Sequence, residues 1–205
     1  MKRLLTYFIV GAVLCLPLAA GAAADKGTGT MEGNLRKAIQ AHNGMTANVK
    51  AFVSKNLVPV TSQAVLVKAV ADQNAKKASL TEIQAADKKW SAAEEELPIQ
   101  KELLSNACAK ELFKLSSKFK GVKETFVMDD KGANVCMNGL TSDYWQGDEP
   151  KWQKSFNEGK GGVDAGKVSF DKSANASLQQ VSLPILGKGG KVIGAITFGL
   201  AVDQL

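Results

Sequence analysis

Residues 141–152 read TSDYWQGDEPKW and gather Tyr144, Trp145 and Trp152 with Asp143, Asp148, Glu149 and Lys151. Large aromatic faces that hydrogen-bond at one edge, set among a few charges, are the materials of a small-molecule pocket. In that reading Tyr144, Trp145 and Trp152 wall the site. Asp143, Asp148 and Asp171 could receive an amine or a hydroxyl, and Lys151 a carboxylate. The same residues also fit a packing role, with the two indoles capping one end of a sheet. Asp148 would then be the N-cap of a helix with Pro150 in its first turn.

Catalytic sets are thin by comparison. His42 is the only histidine. It falls on the apolar face of a helical stretch, with no acid spaced to orient it, so it reads as a packed side chain rather than a base. No paired-histidine, Cys-x-x-Cys or haem-attachment spacing occurs, so zinc, dithiol-motif and c-type haem readings lack their ligands. Asp129 and Asp130 with the following Lys-Gly lack the alternating oxygens and distal Glu of a calcium loop, and read as a hairpin turn. The Gly-Lys-Gly-Gly runs at 159 and 187 lack the Ser/Thr of a phosphate-cradling loop. The expectation is a protein that is not an enzyme and carries no cofactor and no metal.

The ends bound the compartment. Lys2 and Arg3 precede an apolar run from Leu4 to Leu18, and small residues at 20–24 offer a cleavage site, so residues 1–24 read as a secretory signal peptide. The run is shorter than the ~20 residues that span a bilayer. Bulky Leu14 before Cys15 argues against a lipid anchor; retention of the segment as an anchor stays open. Export to the periplasm or medium as a soluble protein is expected. The net charge of +6 is nearly all lysine, and Arg36 is the only arginine beyond the leader. Nucleic-acid readers depend on arginine forks, so no nucleic-acid partner is expected. Cys108 and Cys136 remain after cleavage. An oxidising compartment permits a disulfide between them, and two buried thiols fit as well.

The elements that must position these residues follow from periodicity. Residues 25–33 read as a flexible leader and 34–205 as one domain. Leu35, Ile39, Met45, Val49 and Phe52 recur at largely helical steps, predicting one long helix that ends before Pro59, with Gly44 a weak point. Thr61 or Ser62 could cap a second helix carrying Leu66 and Val70. Ser79 and Glu82 have capping-box spacing ahead of Ile83, Ala86 and Trp90. Pro98 opens a further helix to about Ser117, with Cys108 on its inner stripe. Strands are predicted at 122–128, 134–137, 167–170, 177–185 and 192–201, and a short helix from about Asp148 to Glu158. Helices first and strands last predict an α+β fold, one antiparallel sheet of five strands with helices on one side.

The hairpin TFVMDDKGANVCMN at 125–138, the aromatic acidic loop, the Gly-rich turn, the strands at 168–171 and 181–186 and the closing KVIGAITFGL at 191–200 come in a telling order. That order resembles the Cache (PDC-type, PAS-like) extracytoplasmic sensor domains of bacteria, over roughly residues 62–205. The resemblance implies a PAS-like fold with a long N-terminal helix, and a small-molecule pocket built partly from the loop after the first hairpin. In Cache domains that bind amino acids, a Trp on the post-hairpin helix and an Asp further on contact the ligand, and Trp152 and Asp171 match them here. The Arg usually two residues before that Trp is replaced by Pro150, a departure from the amino-acid pattern. The chain ends at Leu205, right after the last strand, where similar membrane receptors continue into a transmembrane helix and an output domain. The expected function is therefore a stand-alone periplasmic sensor module. It would bind an organic acid, amine or amino acid and act through a membrane-bound signalling partner. Two other readings stay open: a structural or interaction protein with a filled pocket, and a small periplasmic dithiol redox protein using Cys108 and Cys136.

Overall fold

The computed structural model describes residues 26–171 and 176–205; the segment read as a signal peptide, with Cys15, lies outside them. Residues 122–128 are rich in β-branched and aromatic types and form β1 (Val122–Met128). The next four residues turn the chain. Asp129 Oδ1 accepts from the backbone N–H of Lys131 and of Ala133, both at 2.9 Å, and Gly132 takes φ +86°. β2 (Asn134–Met137) returns antiparallel to β1. β3 (Asp164–Ala165), β4 (Ser169–Asp171), β5 (Ala176–Leu186) and β6 (Val192–Ala201) complete the sheet. Its order is β2-β1-β6-β5-β3, with β4 paired to the start of β5, and every pairing is antiparallel. The sheet has six strands where the sequence predicts five, because β3 is only two residues long.

Alternation along β1 sends Val127 to one face and Phe126 and Met128 to the other. The first face holds the larger core, where Val127, Leu183, Ile185, Ile196 and Phe198 pack with Ile39, Val53, Leu66 and Leu112 from the helices. The second face holds Phe126, Met128, Met137 and Ala195, covered by Ile83, Trp90, Leu103, Tyr144 and Trp152. Helical elements therefore cover both faces, not one as predicted.

Seven α-helices occur among the described residues. α1 (Lys26–Ala41) starts inside the segment read as a flexible leader. Thr28 is buried there, and a Cβ at Gly27 would meet the Gly189 carbonyl at 2.3 Å, so the β5–β6 turn holds this end in place. The single long helix predicted to follow is broken at 42–46. His42 Nδ1 accepts from the Gly44 N–H at 3.1 Å, and Thr46 caps α2 (Ala47–Phe52) by accepting from Val49 N–H. A π turn, Val53–Leu57, then carries the chain into a 3-10 turn at Val58–Ser62. α3 (Ala64–Ala75) has Gln63, not Thr61 or Ser62, at its N-cap position, without a side-chain cap bond. α4 (Leu80–Ser91) begins with the predicted capping box of Ser79 and Glu82. The predicted helix from Pro98 is two helices, α5 (Pro98–Ser105) and α6 (Ala107–Lys118). Asn106 breaks it: its Oδ1 caps α6 at Ala109 N–H, and its Nδ2 donates to the Val135 carbonyl at 3.0 Å. α7 (Pro150–Phe156) lies against β5 and β6.

Cys108 of α6 and Cys136 of β2 are bridged, with Cα atoms 5.8 Å apart. The alternative of two free buried thiols is not realised. Among the described residues no helix is long and apolar enough to cross a membrane.

Candidate functional site

Five polar side chains knit the aromatic loop to its surroundings. Trp145 Nε1 donates to the Lys131 carbonyl at 2.8 Å, and Trp152 Nε1 to the Asp129 carbonyl at 3.0 Å, so both indoles hold the β1–β2 turn. Trp90 Nε1 of α4 donates to the Thr141 carbonyl at 2.9 Å. Asp87 of α4 takes the backbone N–H of Tyr144 (2.8 Å) and of Trp145 (2.9 Å) on one oxygen, Oδ1. Buried Asn134 gives its amide to Thr141 Oγ1 and the Asp143 carbonyl, closing the loop on β2. The loop sits so close to the turn that a Cβ on Gly132 would meet Gly147 Cα at 2.5 Å.

The predicted site residues separate accordingly. Tyr144 is buried, its ring 5.7 Å from that of Trp90. Trp145 and Trp152 spend their only side-chain donors on backbone carbonyls, and Trp152 stacks on Phe156 at 5.0 Å. Lys151 lies between α7 and the sheet, its Nζ 5.5 Å from the Phe126 ring centre, 3.3 Å from Gln146 Oε1 and 2.9 Å from Glu149. Asp148 is exposed, and Glu149, not Asp148, stands at the N-cap of α7, without a side-chain cap bond. Asp171 pairs with Ala176 in β4. Trp152 is tied to Asp129, next to Met128, which lies opposite Ala195 and thence Pro184. Ala176 and Pro184 are eight residues apart on β5, roughly 26 Å of strand. Trp152 and Asp171 therefore stand toward opposite ends of the sheet. Asp171 ends its strand as expected, but that strand end does not lie beside the crossing helix.

What the loop does build is a cavity of about 120 Å³, where Tyr144 meets the β1–β2 turn and α3, α4 and α5. Ile83, Ile99 and Leu103 form its apolar wall; Gln73, Asp129 and Tyr144 supply polar atoms; Lys76, Lys77, Glu102, Asp130 and Lys131 surround them. Gln73 Nε2 donates to Tyr144 Oη and to the Asn134 carbonyl, both at 3.3 Å. Burial pushes the Asp129 carboxyl above its ordinary range, against the pull of the Lys131 and Ala133 N–H groups. Burial likewise raises the Tyr144 phenol, and the negative charges of Asp129 and Glu102 raise it further.

Sequence reasoning found Tyr144 and missed its partners. Asp129 carried a signal only as turn chemistry. Gln73 and Asp87 lie on helices whose approach to the loop no local pattern reveals. Among the described residues no group of three or more His, Cys, Asp or Glu could hold a metal ion.

No protein-family model and no curated protein matches the chain. Solved structures do. The sensor domain of the V. cholerae histidine kinase DctB aligns with 86% of this chain and 56% of its own, at 12% identity and TM-score 0.41. The ligand-binding domain of the Campylobacter jejuni chemoreceptor Tlp3, in complex with 4-methylisoleucine, aligns over 87% and 61%, at 13% identity and TM-score 0.39. The E. coli DcuS sensor domain aligns over 60% and 88%, at 15% identity and TM-score 0.34. The chain thus spans little more than half the length of the DctB structure and about three-fifths of the Tlp3 one.

Proposed function

We propose that this chain is an extracytoplasmic sensor module of the Cache type, which binds a small molecule under Tyr144 and acts through a partner protein, not by catalysis. The observation that carries the reading is the cavity itself. An apolar wall faces a buried carboxylate, a phenol and an amide, which is the usual make-up of a small-ligand site. A carboxyl group perturbed by burial in a cleft points the same way. The cavity also joins elements from both halves of the chain: α3, α4 and α5 on one side, the β1–β2 turn and aromatic loop on the other. A ligand there would set the position of the helices against the sheet, and that position is what a partner could read. Export belongs to the same reading, and predicts that protein recovered from the periplasmic fraction starts just after residue 24.

A thermal-shift screen of organic acids, amines and amino acids tests the binding. A ligand at a hundred times its dissociation constant should stabilise by about 2.7 kcal/mol. Tyr144→Phe, which keeps the ring and removes the hydroxyl, should weaken it. One observation favours a second reading, that of an interaction protein whose aromatic loop is purely structural: all three indole N–H groups are spent on backbone carbonyls. A broad library without a single stabilising compound would favour that reading and overturn the first.

A further inference from the structure

The cavity under Tyr144 holds a buried carboxylate that is in no ion pair among the described residues. Asp129 is 5% exposed. Both backbone donors that reach it fall on Oδ1, and its other favourable contact is the Gln73 side chain. Among the described residues it joins no ion pair. Two of the three lysines at its edge are directed elsewhere: Lys131 Nζ donates to the Ala78 carbonyl, and Lys76 Nζ to Gln73 Oε1 at 3.4 Å. Asp130 and Glu102 add negative charge to the same lining. A buried carboxylate left without a cation is strongly disfavoured, and proteins ordinarily supply the partner. Here none of the described residues forms that pair.

Resting on the reading of this cavity as a ligand site, we propose that its ligand is a small primary ammonium ion with a short apolar body. The ammonium head sits between Asp129 and Tyr144 Oη, and the body lies against Ile83, Ile99 and Leu103. An ammonium group brings three donors and no acceptor. That matches a carboxylate oxygen and a phenol oxygen presented together. At about 120 Å³ the cavity is well below the ~300–1,000 Å³ of drug-sized sites, so the part of the body it takes in is a few carbons. Lys76, Lys77 and Lys131 border the same space, so a second positive charge at the far end of the ligand meets repulsion. The site prefers a monoamine to a diamine. A carboxylate ligand would set its charge against Asp129 and Glu102.

Three probes of one size decide the class: propylammonium, propionate and 1-propanol, followed at neutral pH by backbone amide shifts and melting temperature. Propylammonium should move the amides of residues 129–133 and 144 saturably and raise the melting temperature; the other two should not. 1,4-Diaminobutane should bind at least about tenfold more weakly. Asp129→Asn keeps an oxygen for the two turn N–H groups while removing the charge, and should lower propylammonium affinity by about tenfold or more. Should that variant unfold, Tyr144→Phe serves, with a several-fold loss expected. Binding of propionate or propanol at these residues, as tight as that of propylammonium, would overturn the ammonium assignment and leave the cavity a ligand site. Absence of propylammonium binding would also overturn it, while the broad screen decides separately whether the cavity takes any ligand.

Discussion

Asp87 is a sharp test of how the site is held. One carboxylate oxygen on α4 takes two backbone N–H groups of the aromatic loop, those of Tyr144 and Trp145. Asp87→Ala removes the shared acceptor and so both hydrogen bonds at once. Hydrogen bonds to a charged group contribute ~1.5–3 kcal/mol each. Tyr144 is buried but Asp87 and Trp145 are only half-buried, so water recovers part of the loss. The expected cost is about 3 kcal/mol. For a chain of 205 residues that is roughly a 6–12 °C fall in melting temperature. Asp87→Asn leaves an oxygen in place and should lose less than half as much. Denaturant titration of the three proteins gives the free energies, and amide shifts of Tyr144 show whether the loop has moved. If Asp87→Ala lies within about 0.5 kcal/mol of wild type, as ordinary surface substitutions do, the loop is not held by this carboxylate.

Three further outcomes follow from the same structure. The Cys108–Cys136 bridge closes 28 residues, for which chain entropy gives about 3.6 kcal/mol, so the double alanine variant should melt roughly 7–14 °C lower. Equal melting of oxidised and reduced protein would contradict it. Trp152→Phe keeps a ring on Phe156 but leaves the Asp129 carbonyl without its indole donor, a cost of about 1–3 kcal/mol in urea unfolding. Asp129 is an acid whose folded pKa is raised, so the folded state binds its proton more tightly than the unfolded chain. Its contribution to stability is then greatest at low pH and is lost as pH climbs from the unfolded value of about 3.9 through the raised one. Glu82, lowered by its cap bonds to Ser79, works in the opposite sense, so the effect is read as a difference from Asp129→Asn. That variant should gain on wild type across the interval, and parallel stability curves would show that Asp129 is not raised.

Much of the frame is legible because it is local. The capping box of Ser79 and Glu82, the turn at Asp129–Gly132 and the long alternation of β6 each lie within a few residues of their own signal. The breaks at Thr46 and Asn106 were also written locally, as side-chain caps, but the apolar stripe running past them outweighed a single polar residue. β3 has too few residues to carry a period. The site is another matter. Trp152 and Asp171 stand apart because of pairing registers across β1, β6 and β5, which no short stretch encodes. Gln73 and Asp87 reach Tyr144 across 71 and 57 residues of chain. A cavity assembled at such separations is a property of tertiary packing, and Tyr144 alone announced it.

The central claim is that a small molecule binds under Tyr144, between the β1–β2 turn and α3–α5. Titrating the best stabilising compound from the screen into isotope-labelled protein and mapping the amide shifts tests it most directly. The account predicts saturable shifts confined to residues 73–78, 83, 99–103, 129–133 and 144. Shifts centred instead on α7 at Trp152, or on a second groove lined by Asn56, Pro59, Leu112 and Leu115, with residues 129–133 unmoved, would contradict it.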